Sequence, residues 1–225
     1  MFITLSEDGG YSLTSAGKTL TVIILVALVL LAGLAAGYYG KNREKKRGLT
    51  ARQISFCGIS VALATVLSMF KLYEFPFGGS ITAFSMLFIC LPGYFYGVGA
   101  GVLAGAAYGV LQFLLGPYIL FPSQVIVDYL LAFAALGLSG VFCDAKNGLI
   151  KGYLLGIFGR YVFAVISGWL FFGEYAWEGW NPLPYSLAYN GAYIFAEGII
   201  TVLILMIPAV KSGLASVKQT AVGSR

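Results

Sequence analysis

The chain has 225 residues, of which 59% are hydrophobic and only 10% charged, with a formal net charge of +5 and a mean hydropathy of +0.87. That balance lies outside the range of soluble globular domains and inside that of helical membrane proteins; the surplus of Lys and Arg then reads as loop charge of a topological kind, not as a nucleic-acid surface. Histidine is absent, and Cys57, Cys90 and Cys143 stand in or beside apolar runs without CxxC spacing, so no metal site, cofactor or disulfide framework is expected.

In chain order, seven apolar segments are predicted, at residues 21–39, 54–72, 81–96, 98–115, 123–142, 152–172 and 184–207. Most approach the roughly 20 residues that a helix needs to cross about 30 Å of hydrocarbon. The second and third segments of the core are short and break only at Gly97. The first segment is preceded by a long leader with Glu7 and Asp8 and followed by "KNREKKR", an order that suits a retained anchor better than a signal peptide. In the leader, "SAGKT" resembles the end of a phosphate-binding loop, but Ser12 stands where GxxxxGK[ST] needs glycine, so the match is read as chance.

Charge sets the direction. "KNREKKR", "DAKNGLIK" and the tail with Lys211, Lys218 and Arg225 fall on one side of a seven-span drawing, and that side is the cytoplasm. The organisation expected is a leader, anchor and basic linker at residues 1–50, a membrane domain at 51–210 and a cytoplasmic tail at 211–225.

Ionisable residues inside the spans cost at least about 2.5 to 3.5 kcal/mol each and need a reason. They are Asp128, Arg160 and Glu197. Counted from Pro122 and Pro184, Asp128 and Asn190 both lie about 9 Å below the outer ends of their helices, so the two side chains can face one pocket. Arg160 and Glu197 lie about 13 and 16 Å from the inner ends of theirs, which suggests a structural ion pair, with a ligand role as the alternative. Asp128 is left without a cation at its own depth, and a buried carboxylate in that position calls for a hydrogen-bonding or cationic ligand.

The outer ends also gather Tyr108, Tyr129, Trp169, Phe172, Tyr175, Trp177, Trp180, Tyr185, Tyr189 and Tyr193. Two readings stand side by side, an interfacial belt and a cage that attracts a cation through ring faces. Tyr185 and Asn190 are about 140 degrees apart on an ideal helix, so their joint use of one ligand implies an irregular helix start at "NPLP". Small residues at Gly58 and Ala62, four apart, permit close approach of another helix, inside the bundle or from a separate subunit.

Several ordered stretches resemble a known family: "FPFGGSITAFSM", "YGVLQFLLG", "SQVIVDYLLAFAALGLSGVF", "GRYVFAVISGWLFF", "EYAWEGWNPLPYSLAYNG" and "YIFAEGII". Together they are similar to the thiamine-specific substrate-binding subunit, or S-component, of energy-coupling factor transporters, over residues 52–210. The resemblance implies an all-α, six-helix membrane bundle, here with one extra N-terminal transmembrane helix, in the bacterial plasma membrane. It implies capture of thiamine from outside, and work with a transmembrane coupling subunit and two cytoplasmic ATPase subunits. It places ligand contacts on Asp128 and its neighbour Tyr129, on Tyr185 and Asn190, and on the rings of Phe172 and Tyr108. A lid loop would close over them at Gly78 and Gly79, and Gly58 and Ala62 would meet the coupling subunit. Ala164 stands where the family often has histidine, and Phe172 where tryptophan can occur.

Rival readings are an S-component for a thiamine precursor or another vitamin, and a small secondary transporter, although no internal repeat is apparent. An enzyme is disfavoured because no nucleophile and base stand together.

Overall fold

Length and hydropathy turn into helices wherever the chain must satisfy its own backbone in lipid. The computed structural model describes residues 3–5, 11–17, 19–20, 23, 49–116 and 118–223. The expected first span and the basic linker lie outside the described residues. Ahead of the bundle, β1 (Ile3–Leu5) pairs antiparallel with β2 (Tyr11–Leu13).

The membrane domain opens with α1 (Ala51–Met69), whose start is fixed by a capping box in which Thr50 and Gln53 bond each other's backbone N–H. A short antiparallel hairpin follows, β3 (Lys71–Glu74) and β4 (Ser80–Thr82), in the register Tyr73↔Ile81 and Glu74↔Ser80. Then come α2 (Ser85–Tyr96), α3 (Val98–Leu115), α4 (Pro122–Phe142), α5 (Gly148–Phe171) and α6 (Pro182–Leu205). A last helix, α7 (Pro208–Val222), occupies most of the segment expected as a tail.

Five of these helices, α1, α3, α4, α5 and α6, are long and apolar enough to cross a membrane. The sixth, α2, is short because it lies inside: Met86, Leu87, Ile89, Cys90, Leu91 and Phe95 are all buried against the other helices. Residues 81–84, read as the start of this span, instead belong to β4 and its turn, and helix begins only after Phe84 in a left-handed conformation. Gly97, with φ of 89°, makes the break between α2 and α3 at the predicted residue.

Around the buried centre, Ile54, Leu63, Leu103, Leu114, Phe158, Ile199 and Leu203 point outward. In water this much apolar surface would be a liability; in lipid it is the ordinary exterior. Close packing within comes from small residues. Gly101, Gly105 and Gly109, four apart on α3, face the α4 backbone, where an added methyl at Gly105 or Gly109 would meet the Phe133 or Tyr129 carbonyl oxygen. That approach lets α4 bring its Asp128 and Tyr129 to the interior.

The cations gather at one end. Lys218 of α7 donates to the Cys143 carbonyl and sits 4.0 Å from the Tyr94 ring centroid, Lys211 bonds Asn147 at 2.9 Å, and Arg52 reaches Thr220. Many of the aromatic residues expected at the outer helix ends, among them Tyr129, Phe172, Tyr185, Tyr189 and Tyr193, meet around one cavity away from these cations.

Gly109→Ala should force α3 and α4 apart and lower stability by about 1 to 3 kcal/mol, the usual size of an overpacking cost. Thermal unfolding in detergent measures it; an unchanged melting temperature would show that the contact has slack.

Candidate functional site

At the aromatic end, α4, α5, α6 and the hairpin between β3 and β4 enclose a cavity of about 130 Å³. Of the residues singled out in the sequence, Asp128, Tyr129, Phe172, Tyr185, Asn190, Gly78 and Gly79 all line it. Asp128 and Asn190 thus face one space, as depth counting expects.

Asp128 is delivered by a local irregularity. Over Ile126–Leu131 the helix widens into π geometry, a device that re-aims side chains and often marks functional positions. The buried Gln124 holds the carboxylate: its Nε2 donates to Asp128 Oδ2 at 2.9 Å and to the Tyr118 carbonyl at 2.9 Å, while its Oε1 accepts from Leu120 N at 2.7 Å. Tyr129, next in sequence, gives its OH as acceptor to Tyr118 N at 2.8 Å. One glutamine and one tyrosine therefore fix both the acidic group and the turn above it. Among the described residues no cation lies within ion-pair distance of Asp128.

On α6, Tyr185, Ser186, Tyr189, Asn190 and Tyr193 all reach the cavity. The irregular helix start expected for Tyr185 is not needed, because α6 is helical from Pro182 and presents an arc of about 140 degrees to a space walled on one side by α5 and on the other by the hairpin. Asn190 is locked in place. Its Nδ2 donates to Ser186 O at 3.0 Å, Ser186 Oγ at 3.1 Å and Ala164 O at 3.2 Å, and its Oδ1 accepts from Tyr193 OH at 2.8 Å. Gly168 makes this possible, since a side chain there would overlap Ser186 and Asn190.

Rings close the remaining walls. Phe172 stacks on Tyr118 at 5.9 Å with planes 24° apart, and Tyr185 is flanked by Tyr189 at 5.7 Å and, edge-on, by Trp177 at 5.2 Å. Trp177 and Trp180 stay about half exposed at the rim. Ala164 contributes a methyl and a carbonyl where the resemblance sets a histidine elsewhere.

The hairpin lies across the mouth. Tyr189 OH donates to the Pro76 carbonyl and accepts from Gly79 N at 3.0 Å. Gly78 has a φ of 97°, which favours glycine, and a Cβ at Gly79 would come within 2.7 Å of Tyr189 OH. Both glycines are thus needed for the loop to rest where it does.

Two expectations change. Arg160 and Glu197 form no ion pair: the Arg160 guanidinium stacks over Phe133 at 4.6 Å, and Glu197 is held by backbone and hydroxyl groups at the start of α2 and in β4. Equal depth did not bring the two charges together because each found a nearer partner, an aromatic face for one and free N–H donors for the other. Tyr108 does not line this cavity; it is buried behind Phe133, edge-on at 4.9 Å, and lines a second, polar cavity of about 140 Å³ under the base of the hairpin.

Sequence reading missed Gln124, Tyr118 and Phe77 as cavity residues; it held Tyr189 and Tyr193 only within the belt-or-cage collection, and Arg160 only with a ligand role as the alternative to an ion pair. The spacing of Tyr185, Tyr189 and Tyr193, each four apart, carried a signal for one helix face that the belt reading absorbed. Gly58 and Ala62 are exposed on the outer face of α1, and at Gly58 an added Cβ would meet nothing within 4 Å.

A multi-helix membrane bundle with an aromatic cavity, partly covered by a hairpin and carrying one fixed carboxylate and one fixed carboxamide, defines a membrane-embedded binding protein for a small polar solute. Residues 54–216 match the thiamine transporter protein family (Thia_YuaJ), and the chain belongs to that family. It is 33% identical over 160 residues to the thiamine transporter ThiT of Bacillus subtilis (strain 168), covering 65% of this chain and 82% of that protein. It is 32% identical over 119 residues to ThiT of Lacticaseibacillus paracasei, covering 45% and 59%. The solved structure of ThiT from Listeria monocytogenes superposes with a TM-score of 0.59 at 32% identity, over 70% of this chain and 96% of that one. The protein is accordingly a multi-pass protein of the cell membrane and a transporter, not an enzyme.

Tyr189→Phe should leave Gly79 N–H and the Pro76 carbonyl without their partner, a loss of about 1 to 3 kcal/mol. Amide exchange at Gly79 should accelerate while exchange in α3 does not; equal protection in the variant would show that the hydroxyl does not hold the loop.

Proposed function

We propose that the cavity binds thiamine from outside the cell and that the chain is the substrate-binding subunit of an ATP-driven energy-coupling factor transporter. The observation that carries this reading is Asp128, a carboxylate with no ion-pair partner among the described residues, set in a cage of rings beside the fixed Asn190. Thiamine joins a flat, hydrogen-bonding aminopyrimidine to a permanently cationic thiazolium ring, and the cavity offers a group for each part.

Asp128 accepts from the amino side of the pyrimidine, with Gln124 keeping its carboxylate aimed. Such a charge-assisted bond contributes about 1.5 to 3 kcal/mol. Asn190, already committed through its Nδ2, offers its Oδ1 and the Tyr193 hydroxyl attached to it. Tyr185, Phe172 and Tyr129 supply ring faces and edges, and a desolvated cation over a ring gains about 0.5 to 2 kcal/mol. Arg160 at the floor repels the thiazolium, which favours a pose with the cationic ring among the outer aromatics. Gly78 and Gly79 allow the hairpin to shut the mouth. Tyr108 acts from behind Phe133 by shape, not by touch.

No step of this mechanism consumes ATP in the chain itself. Uptake requires a transmembrane coupling subunit and two ATPase subunits, and the exposed small-residue face at Gly58 and Ala62 suits close helix contact with the first of these.

Purified protein titrated with thiamine should show saturable quenching of tryptophan fluorescence, through Trp177 at the rim. Asp128→Asn should weaken binding roughly 10- to 100-fold and Gln124→Leu by a smaller factor, from the loss of one charged and one orienting hydrogen bond. No saturation by low micromolar thiamine would refute the ligand. For the partner, Gly58→Trp should abolish co-purification with the coupling subunit while leaving thiamine affinity unchanged; an intact complex would return that face to lipid.

A further inference from the structure

Glu197 is buried to 2% exposure in the middle of a membrane helix, and yet it takes no part in the cavity that holds Asp128. Its partners are all on another part of the chain. Oε2 accepts from Thr82 N at 2.9 Å and from Thr82 Oγ1 at 2.8 Å, and Oε1 accepts from Met86 N at 3.2 Å. Because the Thr82 hydroxyl proton goes to the carboxylate, the 2.6 Å contact between Thr82 and Ser85 must be a donation from Ser85. The result is a closed set of bonds between α6, the last residue of β4 and the first turn of α2, whose free N–H groups and dipole favour an anion there.

Helix α6 therefore grips the hairpin twice. At the mouth, Tyr189 holds the tip through Gly79 and Pro76. Eight residues further along, about 12 Å down the same helix, Glu197 holds the base through Thr82. For a ligand to enter or leave, the tip must lift; the base need not.

We propose that Glu197 is the positioning residue of the lid: it pins the base of the hairpin as a fixed hinge, so that only the tip opens and a bound ligand dissociates slowly. A carboxylate is required there because two acceptor oxygens meet three donors. Glutamine would turn one acceptor into an N–H that faces either Thr82 or Met86 N–H. The second polar cavity, bordered by Thr82, Ser85 and Glu197, gives an unpinned base room to move inward.

The test uses full-length Glu197→Gln and, as a milder variant that keeps the carboxylate, Thr82→Val. In ligand-free protein, amide exchange of the peptide spanning residues 70–86 should rise about tenfold in Glu197→Gln, the factor that corresponds to one lost charged hydrogen bond. The outer half of α5 should not change. In stopped flow, the thiamine dissociation rate should rise by about the same factor with the association rate within about twofold, and Thr82→Val should show a smaller shift in the same direction. A lowered melting temperature with unchanged hairpin exchange and unchanged dissociation in both variants would overturn the proposal and reduce Glu197 to a cap for α2. The thiamine readout rests on the function proposed above, but the exchange readout does not: failure of thiamine to bind the unmodified protein would sink that function and leave the hinge to be judged by exchange alone.

Discussion

A carboxylate taken out of water must be met by donors, and two carboxylates at membrane depth organise this bundle. Asp128 and Glu197 sit on different helices and find different solutions. Glu197 accepts three bonds from backbone N–H and hydroxyl groups, which ties the hairpin and α2 to α6. Asp128 is answered in part, by one glutamine that also clamps the turn above it. The difference matters because Asp128 keeps most of its acceptor capacity turned toward a space lined by rings, whereas both oxygens of Glu197 are engaged by the hairpin and α2. The same chemical group thus serves attachment at one place and, under the function proposed above, recognition at the other.

The glycines serve the same division. On α3 they bring α4 close enough for its widened turn to reach the interior, and on α5 Gly168 makes room for the Ser186 and Asn190 pair that fixes the carboxamide. At the hairpin they do the opposite task, keeping a surface loop thin enough to lie on tyrosines. A membrane bundle has little hydrophobic drive between its helices, so close approach and buried hydrogen bonds have to supply specificity, and in this fold they converge on the cavity walls.

Much of this was legible in the sequence because hydropathy and helical rise are one-dimensional quantities. The five long spans, the break at Gly97 and the shared cavity of Asp128 and Asn190 all follow from counting along the chain. What counting cannot supply is rotation about the helix axis and the reach of loops. Arg160 and Glu197 share a depth but point to different neighbours, and the donors that meet Glu197, on Thr82 and Met86, lie at the start of a segment that reads as a continuous membrane span. Gln124 escaped notice for a related reason: beside Pro122 it looks like a helix-start residue, and only the fold of Tyr118–Phe121 back over it reveals the bonds that leave it aimed at Asp128. The tyrosines at 189 and 193 were visible as a face, but an interfacial belt explains the same pattern, and sequence alone does not choose.

The position of α1 links the two ends of the molecule. Its last turn runs straight into β3, and Ala83 N bonds the Phe70 carbonyl at 3.1 Å, so the hairpin hangs from α1 on one side and from α6 on the other. The outer face of α1 carries the exposed small residues, and its inner end is tied by Arg52 to α7. A displacement of α1 against α6 therefore has to be taken up between Phe70 and Thr82, the segment that covers the cavity. With the base of that segment pinned at Glu197, the strain falls on the tip, where a single tyrosine hydroxyl holds it. Under the function proposed above, a coupling subunit seated on the outer face of α1 would stand mechanically next to the mouth, without any long path through the bundle between them.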